Sequence, residues 1–201
     1  MPTAVRQRFN LTIGLAPKKF VWFRIAKCGT RSTLAALREY VTDFDIEQGF
    51  KIRYSSEQYS DYFKFTFVRD PYSRIVSAWN DKILLGNSGG GKFDSDLVNR
   101  IQDFRFFVDW LIDQDPKTVN IHFRPQALLV SEEVDFVGRM ENFNEDLPNV
   151  LKEIGISPLH KVPHRNRKNL SRKEILGSGR VLNAITDYYS LDFERFDYTI
   201  R

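Results

Sequence analysis

The sequence predicts an α/β fold in three layers, with a central, mainly parallel β-sheet flanked by helices. One observation predicts this fold, and a second predicts where its ligand binds. Apolar, aromatic runs typical of buried strands alternate with segments whose apolar residues recur at helical spacing. Two of these runs end in polar turns, after residues 26 and 68, and ligands of such sheets bind beyond the carboxyl ends of the strands. The length of 201 residues fits one domain over residues 1–201.

Three runs predict the strands of this sheet. Each is rich in β-branched and aromatic residues, and the second alternates along its length, as strands do. The runs are FVWFRIA at 20–26, YFKFTFVRD at 62–70 and VDFVGRM at 134–140.

Segments of helical spacing follow these strands and fill the C-terminal part of the chain. Ser32 or Thr33 lies near the start of the first helix, and Pro71 lies in the first turn of the second. Asn142 and Ser171 are predicted caps, each with a glutamate three residues on. The predicted helices are 31–41, 71–85, 97–115, 141–156 and, on either side of a break at 177–179, 170–176 and 180–189.

Composition excludes several classes of protein. No apolar run approaches the ~20 residues that a membrane-spanning helix needs, and the N-terminus lacks the apolar core of a signal peptide. Cys28 is the single cysteine, so no internal disulfide forms. We therefore expect a cytoplasmic protein. The net charge is +4, and the densest basic stretch is HKVPHRNRKNLSRK at 160–173, which is a solvated surface loop or an anion-binding patch.

The turn after the first strand has the composition of an anion-binding loop. A helix N-terminus offers unpaired N–H groups and partial positive charge, and Gly29 permits close approach of a ligand. The order of lysine and glycine differs from that of a Walker A motif, which places its lysine after the glycines. An ordinary polar helix cap is the alternative. The residues of this loop are Lys27, Cys28, Gly29, Thr30, Arg31, Ser32 and Thr33.

The turn after the second strand repeats this logic. Arg69 ends a buried strand, where an unpaired charge is costly, and Asp70-Pro71 opens a helix that carries Ser77 two turns on. A guanidinium offers two parallel N–H donors to a phosphate, and a serine adds a hydroxyl. The alternative is that Arg69 pairs with Asp70 or with another nearby acid.

Taken together, these motifs resemble those of sulfotransferases that use 3′-phosphoadenosine 5′-phosphosulfate (PAPS), specifically the Golgi carbohydrate sulfotransferase branch. AKCGTRST is similar to that family's 5′-phosphosulfate loop and VRDPYSRIVSAW to its 3′-phosphate motif. HFRPQALL, VDFVGRMENFNEDL, PHRNRK and YYSLDFERFDY have counterparts in the same order. The resemblance runs from about residue 20 to the end. It implies the P-loop-like sulfotransferase fold.

The resemblance also implies a reaction, namely transfer of a sulfonate group from PAPS to a hydroxyl or amine of a glycan or glycolipid, leaving adenosine 3′,5′-bisphosphate. Lys27 then stabilises the leaving phosphate oxygen, and Arg69 with Ser77 holds the 3′-phosphate. Three residues of the basic stretch are expected to close over that phosphate: Arg165, Arg167 and Lys168. The family's membrane anchor and cysteine pairs are missing from this sequence, which fits a soluble, bacterial relative.

Two residues are candidates for the general base that accepts the proton of the acceptor. His122 is suitable because an unperturbed histidine has a pKa near 6.5, although it also suits a structural role in its loop. Glu47 lies about as far beyond the lysine as a glutamate does in other sulfotransferase branches. Cys28 has no partner pattern of a nucleophile. No Cys/His cluster has the spacing of metal ligands, so no metal requirement is predicted.

Two other functions remain open at this point. A nucleotide or small-molecule kinase would have a similar fold, but the position of the lysine and the Arg69–Ser77 pair argue against it. A non-catalytic binder of polyanions would use the basic stretch and leave both strand-end motifs without a role. We expect a glycan-type acceptor and no nucleic-acid partner.

Overall fold

The computed structural model describes residues 8–87, 94–156, 175–177 and 179–201. They form two compact units. The first contains residues 8–68 and 129–156 and includes all the strands of the described residues. The second is helical and contains the described residues of 69–128 and of the C-terminal part.

A sheet of five strands, counted over the described residues, forms the centre of the first unit. β2 pairs in parallel with β4, and β4 with β5, whereas β1 is antiparallel to both β2 and β3. Four of the five strands therefore run in one direction, which confirms the α/β class with a mainly parallel sheet. In the sheet order β3-β1-β2-β4-β5, the strands are β1 (Arg8–Gly14), β2 (Phe20–Phe23), β3 (Phe44–Arg53), β4 (Phe63–Val68) and β5 (Phe136–Arg139).

Three strands were predicted and two were not. β2, β4 and β5 are shorter forms of the predicted runs. In β1, buried Phe9, Leu11 and Ile13 alternate with polar positions, which is the local pattern of a strand. β3 is an edge strand paired with β1, and its apolar residues Phe44, Ile46, Phe50 and Ile52 occur at every second position except 48.

Two helices flank the sheet. α1 (Thr30–Tyr40) follows β2 and buries Leu34 and Leu37. α5 (Phe143–Glu153) follows β5, and the ring of Phe143 lies 5.2 Å from that of Phe67 in β4. The predicted cap Asn142 occupies the N-cap position of α5, but its side chain makes no capping hydrogen bond.

The second unit begins where β4 ends. α2 (Pro71–Trp79) has Pro71 in its first turn, as predicted, and Asp70 accepts a hydrogen bond from the N–H of Tyr72 at 3.2 Å. The chain then continues as a π-helix, Asn80–Leu84. Four more α-helices belong to this unit: α3 (Ser95–Ile101), α4 (Phe104–Ile112), α6 (Gly179–Tyr188) and α7 (Ser190–Phe196).

Two predicted helices differ from the observed ones. The predicted helix 97–115 is broken into α3 and α4, because the side chain of Asp103 caps α4 by accepting the N–H of Arg105 at 2.8 Å. α1 begins at Thr30, earlier than predicted, with Gly29 at its N-cap. The helix predicted at 180–189 is α6, whereas the capping box at 171–174 lies outside the described residues.

Candidate functional site

The loop between β2 and α1 has the backbone geometry of an anion-binding site. Lys27 and Gly29 both have positive φ, at 70° and 72°. Left-handed residues alternating with right-handed ones turn successive N–H groups toward one side, forming a nest for an anion. The first intrahelical bond of α1 runs from the N–H of Thr33 to the carbonyl of Gly29 at 2.9 Å, so the N–H groups just before it lie at the helix terminus. No acidic side chain occupies the first turn of α1.

Only glycine fits at position 29. A Cβ there would approach the Sδ of Met140 to 2.6 Å and a ring carbon of Phe143 to 3.0 Å, besides carrying the strain of a positive φ. These two side chains lie in the segment that leads from β5 into α5, so Gly29 sets how closely the loop packs on that segment.

The hydroxyl groups of the loop differ in their surroundings. Thr30 Oγ1 donates to the carbonyl of Ile25 at 3.1 Å and so helps to close the loop. Thr33 is fully buried, and its hydroxyl has no hydrogen-bond partner among the described residues. Ser32 is half-buried and Arg31 is exposed, which leaves both able to reach a ligand. Lys27 is also half-buried.

Cys28 is an interior part of this loop. Its side chain is buried, its thiol lies 3.7 Å from the carbonyl of Ala26, and its N–H donates to the carbonyl of Ile25 at 3.3 Å. A buried thiol is shielded from substrates. The environment of Cys28 is therefore that of a structural residue.

In the second unit, Arg69 lies at the junction between β4 and α2. Its N–H donates to Gln126 Oε1 at 2.9 Å, and its carbonyl accepts from Gln126 Nε2 at 2.9 Å. Ser77 is half-buried, whereas the other residues of α2 are buried. Asp70 accepts a hydrogen bond from Ser73 Oγ at 2.8 Å. It also forms an ion pair with Arg201, whose guanidinium donates to Asp70 Oδ2 at 2.7 Å.

The geometry of His122 fixes its tautomer. Asn120 Oδ1 accepts the backbone N–H of His122 at 3.0 Å and lies 2.9 Å from its Nδ1. Because a carbonyl oxygen only accepts hydrogen bonds, Nδ1 carries the proton of a neutral ring and Nε2 has the lone pair. Asn120 thus orients the imidazole ring of His122.

Glu47 is engaged in an ion pair. Arg38 of α1 donates to Glu47 Oε1 through Nε at 2.7 Å and also through a terminal nitrogen. Glu47 lies on the edge strand β3, which β1 separates from β2. The other three site residues predicted from the sequence, Arg165, Arg167 and Lys168, lie outside the described residues.

Residues 15–199 match a family model described as "Sulfotransferase family". The chain belongs to the sulfotransferase family. Carbohydrate sulfotransferase 14 of Danio rerio is 26% identical over 163 residues, which covers 69% of this chain and 44% of that protein. The Homo sapiens protein of the same name is 27% identical, and the match covers 75% of this chain and 45% of that protein. Carbohydrate sulfotransferase 9 of Homo sapiens is 29% identical over a match that covers 69% of this chain and 38% of that protein.

The family match confirms the resemblance to carbohydrate sulfotransferases and includes both strand-end loops. The chain spans less than half the length of these curated relatives. No solved structure matches the chain. Within the described ranges, no helix has the length and apolarity needed to cross a bilayer.

Sequence reasoning missed two residues that this sulfotransferase-family chain places behind Arg69. Gln126 and Asp192 are fully buried, and Gln126 Nε2 donates to Asp192 Oδ2 at 3.1 Å. Their segments, HFRPQALL and YYSLDFERFDY, carried part of the resemblance, but the hydrogen bonds between residues so distant in sequence leave no local pattern. In the part of the chain that the structure describes, no group of three His, Cys, Asp or Glu side chains is arranged to hold a metal.

Proposed function

We propose that this chain transfers the sulfonate group of PAPS to a hydroxyl or amine of a carbohydrate or glycolipid acceptor. Membership of the sulfotransferase family and the names of the carbohydrate sulfotransferase relatives support the reaction and the acceptor class. The observation that carries the proposal is the loop after β2. A lysine with positive φ there begins a nest at the N-terminus of a helix that has no acidic residue in its first turn.

Lys27 and the N–H groups at the start of α1 hold the 5′-phosphosulfate end of the donor. When bound, the donor supplies a sulfonate group activated by a phosphate leaving group. The acceptor oxygen or nitrogen forms a bond to sulfur while the bond from sulfur to the bridging phosphate oxygen breaks. Negative charge therefore grows on the bridging phosphate oxygen. The Lys27 ammonium and the loop N–H groups stabilise this charge, as preorganised donors do in phosphoryl transfer.

Arg69 and Ser77 hold the 3′-phosphate, which distinguishes PAPS from ATP. The half-buried Ser77 supports this role, because it is the one residue of this otherwise buried helix that keeps partial access to solvent. Arg165, Arg167 and Lys168 complete the phosphate contacts in this proposal, as the resemblance implies.

His122 is the proposed general base. Its Nε2 lone pair accepts the proton of the acceptor hydroxyl, and Asn120 steadies the imidazolium through Nδ1. Glu47, whose Oε1 accepts hydrogen bonds from Arg38, is the alternative base.

The test is transfer of label from [³⁵S]PAPS, with [γ-³²P]ATP in parallel, to a panel of unsulfated glycans and glycolipids. We expect transfer from PAPS only, reduced about 10²–10³-fold in kcat by Lys27→Ala. Lys51→Ala is the matched control, because Lys51 is an exposed lysine of β3 that also has positive φ, 53°. Transfer of phosphate from ATP, or equal activity of Lys27→Ala and the wild type, would contradict the proposal.

A further inference from the structure

The strand–helix junction at Arg69 is held by a buried amide. Gln126 is fully buried and pairs with both backbone groups of Arg69, accepting from its N–H and donating to its carbonyl, each at 2.9 Å. The orientation of this amide is unambiguous, because an N–H only donates and a carbonyl only accepts. Two such bonds to one residue fix its backbone as a ladder partner in a sheet would.

A buried carboxylate holds Gln126 in turn. Asp192 of α7 is fully buried, accepts from Gln126 Nε2 at 3.1 Å through Oδ2, and accepts from the N–H of Ala127 at 2.8 Å through Oδ1. Burial raises the pKa of Asp192, while the positive charge of Arg74 and the hydrogen bonds from residues 126 and 127 oppose that rise. Burying a carboxyl group is costly, so its hydrogen bonds must be made.

Other residues of the C-terminal segment hold the same loop. Tyr189 Oη donates to the carbonyl of Phe123 at 2.6 Å, and Arg195 donates to the carbonyl of Ala127 at 2.8 Å. Tyr189 is the N-cap residue of α7, and residues 189, 192 and 195 recur every three positions. They therefore lie on the same side of this helix. This side binds the backbone of 123–127, whose Gln126 then binds Arg69.

We infer that Gln126 and Asp192 are positioning residues that orient Arg69 toward the 3′-phosphate of the nucleotide. The inference rests on the proposed function, in which Arg69 binds that phosphate. It assigns a role to the HFRPQALL and YYSLDFERFDY segments, which the phosphate contacts alone leave without one. A guanidinium clamps a phosphate only in a narrow geometry, so a loosened backbone at Arg69 weakens that contact in particular.

The experiment compares the affinities for adenosine 3′,5′-bisphosphate and adenosine 5′-phosphate by calorimetry. We expect Gln126→Leu to weaken binding of the bisphosphate about 10-fold or more and that of the monophosphate less than about 2-fold. The ratio of the two affinities is measured on folded molecules, so a loss of stability alone does not move it. Gln114→Leu is the matched control, since Gln114 donates to the carbonyl of Trp110 at 3.0 Å in the same unit.

Asp192→Asn keeps the experiment decisive if Gln126→Leu does not fold. An asparagine still accepts from Ala127 but turns an N–H toward Gln126 Nε2, so we expect a smaller loss, about 3-fold or more, again confined to the bisphosphate. A wild-type protein that prefers the bisphosphate, with a preference that survives in the folded variants, overturns this inference alone. A wild-type protein without that preference overturns the proposed function and this inference with it.

Discussion

Replacing Gly29 by alanine tests the packing of the phosphosulfate loop. Alanine at a φ of +72° costs ~1–2 kcal/mol of backbone strain. Alanine also lowers the conformational entropy of the unfolded chain, which offsets part of that cost and leaves a net loss of stability of about 1 kcal/mol. Its Cβ would also lie 2.6 Å from Met140 Sδ and 3.0 Å from Phe143, and overpacking of this kind costs ~1–3 kcal/mol. Phe143 is buried against Phe67 and has little room to withdraw. The free energy of unfolding should therefore fall by about 2–4 kcal/mol.

Urea denaturation followed by circular dichroism measures this loss. Gly86→Ala is the matched control, because Gly86 has a φ of +62° but no atom of the described residues within 4 Å of its would-be Cβ. We expect that control to lose only the backbone part, about 1 kcal/mol. In a Met140→Ala background the penalty of Gly29→Ala should shrink, since the closest overlap is gone. Equal losses for Gly29→Ala and Gly86→Ala would refute the reasoning, as would an undiminished penalty in the Met140→Ala background.

Three further predictions concern the nucleotide, the base and pH. Arg69→Ala should weaken binding of adenosine 3′,5′-bisphosphate about 10-fold or more in calorimetry and spare adenosine 5′-phosphate; equal losses would contradict its role. His122→Ala should lower kcat about 10²–10⁴-fold and remove the acidic limb of its pH profile, whereas Glu47→Gln should leave that limb in place; the reverse pattern would make Glu47 the base. Asp192 binds its proton more tightly in the folded than in the unfolded chain, because burial raises its pKa, so its contribution to stability falls as pH rises from about 4. As pH rises from about 4, the melting temperature of the wild type should fall relative to that of Asp192→Asn. A difference between the two melting temperatures that does not change with pH would argue against a raised pKa of Asp192.

The sequence predicted the elements whose signal is local. Phe20–Phe23, Phe63–Val68 and Phe136–Arg139 are strands because aromatic and β-branched runs need burial on a sheet, wherever the partner strands lie. Pro71 marked the first turn of its helix through its fixed φ. The same kind of local signal, unused, marked β1 through its alternation and the break before α4 through Asp103.

The loop chemistry was predicted more fully than the loop geometry. The lysine, glycine and hydroxyl residues predicted an anion site, and the positive φ of Lys27 and Gly29 fits one. The hydroxyl of Thr30 donates to the carbonyl of Ile25, and the hydroxyl of Thr33 is buried. Which hydroxyl faces outward depends on the register of the helix start, and a sequence fixes that only to within a few residues.

The amino-acid sequence by itself determined the α/β class, the strand-end positions of the two motifs and the family, since each depends on residue type and short spacing. Tertiary structure alone decided that Arg38 pairs with Glu47 and that Gln126 and Asp192 hold Arg69. These features join residues between 9 and 66 positions apart. A hydrogen bond between distant residues forms only once folding has excluded water from both partners, so its strength and its existence are properties of the folded chain.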